Sequence, residues 1–497
     1  MKAVTLSRRK FGVSLAALSL ASQARADDSC MPVWVDPLKV DLEKMASDLT
    51  ASLKPWNGPW RVFSPEQFGH KPGDAIATSA IQAAIDAAAQ KGGGTVRLAQ
   101  GDYISGTLDL RSHIRLEIVR GARLLGSLDL KDYPERVAKR PTVMDSNMGM
   151  NQSLIFAEGC ENISICGKGQ IDGRGTIANF PGPVTSGATP GRPFLIRVID
   201  CKRIHIKEIH LKDSPCWMQN YLNCEDLLIE KIRVSNQANG NNDGCDIDGC
   251  RRVVVRECLM SSEDDGLCFK GASQRPMEQV LVENCALYSS CNALKFGTDS
   301  QGDFRQVLVR NVELGGPALD MNPLNMRRAD SGISWEVVDG GTVENILVTK
   351  ANIVRTKSPL FLRLGDRGRV RPEQSRPVPG NLRRIVFDQI SGSDNGSRGS
   401  YFMGLPDKPI EDIVLRDINI AVGTTDLPMP DETKIPEMHS DYPDAGMIID
   451  ITPAKGLWTR HVRGLSLVRV KFTTSGTDAR PMFKTTLDTL NVCVKEN

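Results

Sequence analysis

Residues 253–309 read VVVRECLMSSEDDGLCFKGASQRPMEQVLVENCALYSSCNALKFGTDSQGDFRQVLV, and their organisation decides the fold. Three β-branched runs stand at Val253-Val254-Val255, Val280-Leu281-Val282 and Val307-Leu308-Val309, each 27 residues from the next. Upstream the same run recurs at Ile163-Ser164-Ile165, Ile204-His205-Ile206 and Leu227-Leu228-Ile229. Downstream it returns at Ile346-Leu347-Val348, Ile385-Val386-Phe387 and Ile413-Val414-Leu415. The steps from 206 to 229 and from 229 to 255 are 23 and 26 residues. Such a period is too short for a helix pair. The Leu/Asn signature of leucine-rich repeats is missing, and a propeller blade needs about 40 residues. One short strand with a second behind it, such as Ile232-Arg233-Val234, suits one turn of a β-solenoid. A single turn cannot bury its apolar face alone, so the turns must stack. The expected fold is all-β, a parallel β-helix (solenoid) over residues 60–497. Steps of 39 residues, from 309 to 348 and from 348 to 387, leave room for loops at Asp320–Gly341 and Gly365–Asn381. Asp426 to Met447, rich in Pro, Asp and Met, reads as an irregular insertion without an assigned role.

The ends of the chain carry different signals. Ser7-Arg8-Arg9-Lys10-Phe11 precedes a weakly apolar run to Ala21, and Ala24-Arg25-Ala26 has a small-x-small cleavage pattern. Residues 1–26 are therefore expected to be an export signal of the twin-arginine type, giving a periplasmic or secreted protein. Residues 27–59 form an N-terminal extension. Ser79–Gln90, with Ile81 and Ile85 among alanines, is the one clear helix, ended by Gly92-Gly93-Gly94. Asp74 or Thr78 is placed to cap it, and it is expected to cover the open end of the solenoid. All 13 cysteines follow the cleavage point, and the odd number leaves at least one thiol unpaired in a monomer. Cys258 and Cys285 follow Val255 and Val282 by three residues, so they are expected to stack inside the solenoid.

Bulk composition excludes several function classes. A formal net charge of +2 with 25% charged residues gives no reason to expect nucleic-acid binding. Six histidines show no metal-ligand spacing, which argues against a zinc site. No later stretch reaches the roughly 20 apolar residues of a membrane span.

The repeat also aligns chemistry. Asp243-Gly244-Cys245-Asp246-Ile247, Asp265-Gly266-Leu267-Cys268-Phe269 and Asn292-Ala293-Leu294-Lys295-Phe296 share one phase. Stacking at about 4.8 Å per turn puts Asp243, Asp265 and Asn292 in one column, with Asp264 beside it. Asp246, Cys268 and Lys295 form a second column three residues on. A lone aspartate is most often a turn or capping residue. Three converging carboxyls instead fit glycosidic hydrolysis, in which one acid protonates the leaving oxygen and another carboxylate activates water. Mutual repulsion can keep one of them protonated.

These segments resemble glycoside hydrolase family 28, the polygalacturonase and rhamnogalacturonase family. That family carries Asn-Thr-Asp followed 21 residues later by Asp-Asp; here Asn241-Asn242-Asp243 precedes Asp264-Asp265 at that spacing. The flanks are similar too: Gly92-Gly93-Gly94-Thr95-Val96, Gly126-Ser127 before Asp132-Tyr133-Pro134, Ile171-Asp172-Gly173, and Ser214-Pro215-Cys216-Trp217. The similarity runs from Trp60 to beyond Arg363. It implies a right-handed, single-stranded parallel β-helix with an N-terminal capping helix. It also implies single-displacement, inverting hydrolysis of a pectic, galacturonate-containing polysaccharide or oligosaccharide. By resemblance Asp264 would be the general acid, and Asp243 and Asp265 would hold and deprotonate water. No metal or organic cofactor is implied. Asn241 falls in the matching motif and is expected at the substrate.

Two departures stand out. Cys291-Asn292-Ala293 replaces the family's Gly-His-Gly, so Asn292 occupies the histidine position. The family's Arg-Ile-Lys element has no plain match; Arg363, in Phe361-Leu362-Arg363-Leu364-Gly365, is the nearest. Lys295, on an outward-facing strand position, is the other candidate cation for a sugar carboxylate. Arg367, Arg369 and Arg371 add a basic cluster; Trp217 and Tyr221 are placed to border the cleft, with core packing the alternative for Trp217. An exo-acting or rhamnogalacturonan-type hydrolase stays open beside polygalacturonan cleavage. So do a calcium-dependent lyase on the same fold and a non-catalytic glycan-binding solenoid. The expected partner is a carbohydrate chain, acted on by a monomer.

Overall fold

The computed structural model describes residues 30–56, 58, 61–71, 73–142, 151–181, 191–317, 328–371, 373–486 and 488–495. The export signal expected over residues 1–26 lies outside them, as do Trp60 and residues 320–327 of the first expected loop.

All nine β-branched runs are strands, and they stack into one ladder. Ile163 pairs with Ile204, and Ile204 with Leu227. Leu227 pairs with Val253, Val253 with Val280, and Val280 with Val307. The ladder continues in register through Ile346, Ile385 and Ile413. All of these pairings are parallel, as one strand per turn requires. Among the described residues the strands make sheets of 21 and 12 strands, with the core between them. Connections between parallel strands are right-handed, and the architecture is a right-handed parallel β-helix. Strand Ala329–Val337 belongs to the 12-stranded sheet. The expectation of a loop across Asp320–Gly341 is therefore corrected: much of that segment completes a turn. Residues 365–371 and 373–380 do lie in a loop.

Each turn bends where one residue adopts a left-handed backbone. One set of corners is Arg203, Asp226, Arg252, Gln279 and Gln306, with φ of 56 to 59°. A second is Glu208, Lys231, Glu257, Asn284 and Asn311, with φ of 50 to 56°. A non-glycine residue there costs about 1–2 kcal/mol, tolerated because ladder hydrogen bonds flank it on both sides. Polar residues therefore punctuate the β-branched runs.

The expected capping helix is α2 (Thr78–Gln90). It buries Ala80, Ile81, Ala84, Ile85 and Ala88 against the first turn, and Gly92 and Gly93 end it at φ of 83° and 118°. Neither expected cap is made. The Asp74 carboxylate accepts from the Lys71 amide, and the Thr78 hydroxyl accepts from the Gly106 amide.

A second helix, α1 (Val35–Ser52), lies within the 27–59 extension, and its presence corrects the expectation of a single helix. Its Val35, Leu42, Ala46 and Leu49 cover an outward ladder of Leu228, Val254, Leu281, Leu308, Leu347, Val386 and Val414. Eighteen residues span about 27 Å of helix, and six strand spacings span about 29 Å, so helix and ladder match in length. Outside this footprint the equivalent strand positions are polar: Ser164 and His205 before it, Ser466 after it. Lys39 pairs with Asp388 at 3.0 Å across the same interface.

Cys30, just ahead of α1, is bonded to Cys493 in the last strand. The remaining described cysteines are free thiols, and Cys258 and Cys285 are buried in the core as expected. Closing so long a loop constrains the unfolded chain. Cys30→Ser should cost about 2–5 kcal/mol and loosen α1 first. Hydrogen exchange should rise over Val35–Ser52 while the strands of residues 253–309 stay protected; unchanged exchange in α1 would show that the bond does not hold it. Among the described residues no helix is long and apolar enough to cross a membrane.

Candidate active site

Backbone hydrogen bonds build the expected column. The Met218 amide donates to the Asp243 carbonyl (2.9 Å), Gly244 to Asp265 (2.8 Å) and Gly266 to Asn292 (2.8 Å). Turns must approach closely here. A Cβ on Gly244 or Gly266 would lie 2.5 Å from the carbonyl oxygen of Gly266 or Ala293 respectively. The second column forms as well, with Asp246 opposite Cys268 and Cys268 opposite Lys295.

The three aspartates sit in different electrostatic surroundings. Asp264 is partly exposed; its carboxylate accepts from the Asp265 amide at 2.9 Å and from Asn241 Nδ2 at 3.4 Å. Burial, and next the Asp265 charge, push its pKa up to about 7. Asp265 is buried, and burial alone would raise it. Lys295, then Lys270 and hydrogen bonds from Asn292 and Lys295 outweigh that and hold it below the usual carboxylate range. Asn292 Nδ2 lies 2.8 Å from Asp265 Oδ1, and Lys295 Nζ 3.3 Å from Oδ2. Asp243 is raised well above the ordinary range by burial, then by Asp246 and Asp264. Its Oδ1 is buried without a hydrogen-bond partner.

Further buried groups complete the charge pattern. Asp246 lies 3.3 Å from Lys270, and burial lifts its pKa to about 7. Lys270 Nζ stands 4.6 Å from the Trp217 ring centre. Trp217 thus borders the charged groups, whereas the expectation for Tyr221 is corrected: it is buried in the core and donates to Gln219 Oε1 at 2.9 Å. Asn241 accepts from Arg192 at 3.0 Å, so it links a basic group to Asp264.

Lys295 is not a solvated cation. Its side chain is 3% exposed and faces Asp444 at 3.0 Å, Asp265 at 3.3 Å and Glu336 at 3.6 Å. Arg363 corrects a second expectation. It is fully buried, and its guanidinium donates to the carbonyls of Glu437 (2.7 Å), Met438 (2.8 Å) and Gly404 (3.3 Å). Those bonds direct it away from a substrate carboxylate and into holding residues 437–438. The neighbouring arginines are engaged too: Arg367 with Asp339, Arg369 with Asp299, Arg371 with Glu373 and the Pro141 carbonyl.

Lys270 and Arg192 escaped the sequence, as did two residues from outside the aligned segments. Glu336 occupies a strand position one turn beyond the aligned segments. Asp444 comes from the insertion that carried no assigned role, and it also approaches Asn292 Nδ2 at 3.4 Å. The repeat phase points to the former; no sequence signal marks the latter.

Ligand atoms of Asp264, Asp265 and Cys291 lie within 4.8 Å of one another. Asp265 is already bonded by Asn292 and Lys295, so this set is poorly disposed to take a cation. The arrangement is better suited to acid–base work: one carboxyl lifted towards neutrality stands beside one held ionised.

Residues 120–320 match the family described as Glycosyl hydrolases family 28. A probable polygalacturonase of Vitis vinifera is 28% identical over 208 residues, covering 40% of this chain and 42% of that protein. Exopolygalacturonase X-1 of Emericella nidulans is 26% identical over 239 residues, covering 45% and 52% respectively. The chain thus spans about half the length of these curated relatives. The crystal structure of a hyperthermoactive exopolygalacturonase from Thermotoga maritima superposes with a TM-score of 0.63 at 19% identity, covering 77% of this chain and 91% of that one. This last likeness concerns the fold alone.

Proposed function

We propose that this chain, whose residues 120–320 match glycosyl hydrolases family 28, is a member of that family and hydrolyses glycosidic bonds in galacturonate-containing, pectic chains without a metal or organic cofactor. Asp264 serves as general acid, Asp265 activates the water, and Asp243 helps to hold it. Single displacement with inversion follows from the family resemblance. The observation that carries this reading is the adjacent pair Asp264 and Asp265, one raised to about 7 and the other lowered. Environments that push two carboxyls apart in this way assign acid and base.

An exo mode has support of its own. Residues 136–142 and the 365–371 loop meet through Arg371 and Pro141, while residues 435–448 cover the outward side of Phe361, Tyr401 and Trp458. Walls on these sides favour chain ends over mid-chain binding, and Emericella nidulans supplies a relative named for exo action. Residues 60–497 would be the catalytic domain, acting as a monomer. Cleavage after Ala26 and export through the twin-arginine route would leave Cys30 near the new terminus, where an oxidising compartment suits its bond to Cys493.

The test is reducing-sugar release from a panel of pectic polymers and oligosaccharides, with product absorbance followed in parallel. Release without an unsaturated, ultraviolet-absorbing product is expected. An unsaturated product would mean elimination by a lyase. Binding without any release would favour the non-catalytic reading.

A further inference from the structure

Residues 435–448 run over the outward face of the 12-stranded sheet and end beside Asn292 and Lys295, where the chain departs from its family's motifs. The segment is fastened on both sides. Arg363 holds the carbonyls of Glu437 and Met438, and the Asp366 amide donates to the His439 carbonyl at 2.6 Å. On the far side Tyr401 Oη donates to the Ala445 carbonyl at 2.8 Å, and Ala445 is fully buried. Asp444 sits next to this second anchor, so its carboxylate is fixed in place rather than free to swing away.

That carboxylate completes the surroundings of Lys295. An ammonium has three N–H donors, and three carboxylates face this one: Asp444 at 3.0 Å, Asp265 at 3.3 Å and Glu336 at 3.6 Å. With the side chain 3% exposed and its charge already met by three carboxylates, it is screened from a ligand. A sugar carboxylate arriving here would meet Asp444 and Asp265 without a free cation, and like charges at contact in a dry site repel strongly. A hydroxyl or hydroxymethyl group meets no such penalty and can donate to Asp444.

We propose that Asp444 is a specificity-determining residue: it fills the place beside Lys295 with a protein carboxylate, so the adjoining subsite takes a sugar with an uncharged C6 group and rejects a uronate. The proposal rests on the hydrolase reading above. A pectic substrate would then present a neutral sugar to this subsite and carry its uronates elsewhere. Tyr442 adds an apolar face for that sugar: it is 45% exposed, with its ring centre 5.9 Å from Lys295 Nζ and 6.0 Å from Arg367 Cζ.

Calorimetric binding tests it, using trigalacturonate and its carboxyl-reduced counterpart, which differ only at C6. The proteins are Asp264→Asn, so that neither ligand is consumed, and the same chain with Asp444→Asn or Asp444→Ser added. Relative to the parent, each added change should move the affinity ratio towards trigalacturonate by at least about tenfold. A ratio unmoved in both double variants, with melting temperatures intact, would overturn the proposal. So would binding of neither ligand to any of the proteins. Equal loss of both ligands would mean that Asp444 only supports the fold, and the proposal would fall. An unsaturated product from wild type would instead overturn the hydrolase reading, and would leave the affinity ratio to be judged separately.

Discussion

Asp264→Asn should lower kcat on the responsive pectic substrate by roughly 10²–10⁴-fold, the usual contribution of a positioned general acid. KM and the melting temperature should stay close to wild type. The substitution keeps the shape of the side chain and removes only the transferable proton. Asp264 is the aspartate of the three that is partly exposed, so it can reach a leaving oxygen, and its pKa of about 7 lets it hold a proton near neutrality. Asp243 and Asp265 are more deeply buried. Because Asp264 is among the charges that raise Asp243, neutralising it leaves the remaining pair slightly relieved rather than strained. A loss below about threefold, measured on folded protein by initial rates, would remove Asp264 from the acid role.

The pH profile of kcat/KM carries the second large effect. Asp264 acts while protonated, and its pKa is raised, so activity should be present below about 7 and lost as pH rises through that value. Each further pH unit should then cost about tenfold. Asp265 acts while ionised, and its pKa is lowered, so activity should persist as pH falls towards and below the ordinary 3.8 of an aspartate. The expected curve is a broad acidic plateau with an alkaline limb near neutrality. That limb is a property of the coupled group of carboxyls, since Asp246 is also raised to about 7. A rate that climbs between neutral and alkaline pH would contradict the assignment and suit a lysine or arginine base, as elimination chemistry would need.

The fold was legible because its contacts are periodic. In a parallel solenoid, residue i lies against the residue one period later, so spacings of 23 to 27 residues state the register outright. Ile204, Leu227, Val253, Val280 and Val307 pair as their spacing requires, and the same arithmetic puts Asp243, Asp265 and Asn292 in one column. The footprint of α1 was also present in the sequence, as an apolar middle residue in each run from Leu228 to Val414. It is recognisable only once an occupant for that face is known, because a β-branched run reads the same whether one face or both are buried.

The sequence by itself therefore determined the solenoid, the end-capping helix α2 and the cluster of aspartates. Tertiary structure alone decided what each charge does. Lys295 reads as an exposed cation until Asp444, 149 positions away, is folded onto it. Arg363 reads as a substrate ligand until the carbonyls of residues 437 and 438 claim it, and Cys30 meets Cys493 across 463 residues. These contacts are made by insertions and termini that follow no period, so their partners are fixed by packing and by the need to satisfy buried polar groups. No spacing along the chain encodes them.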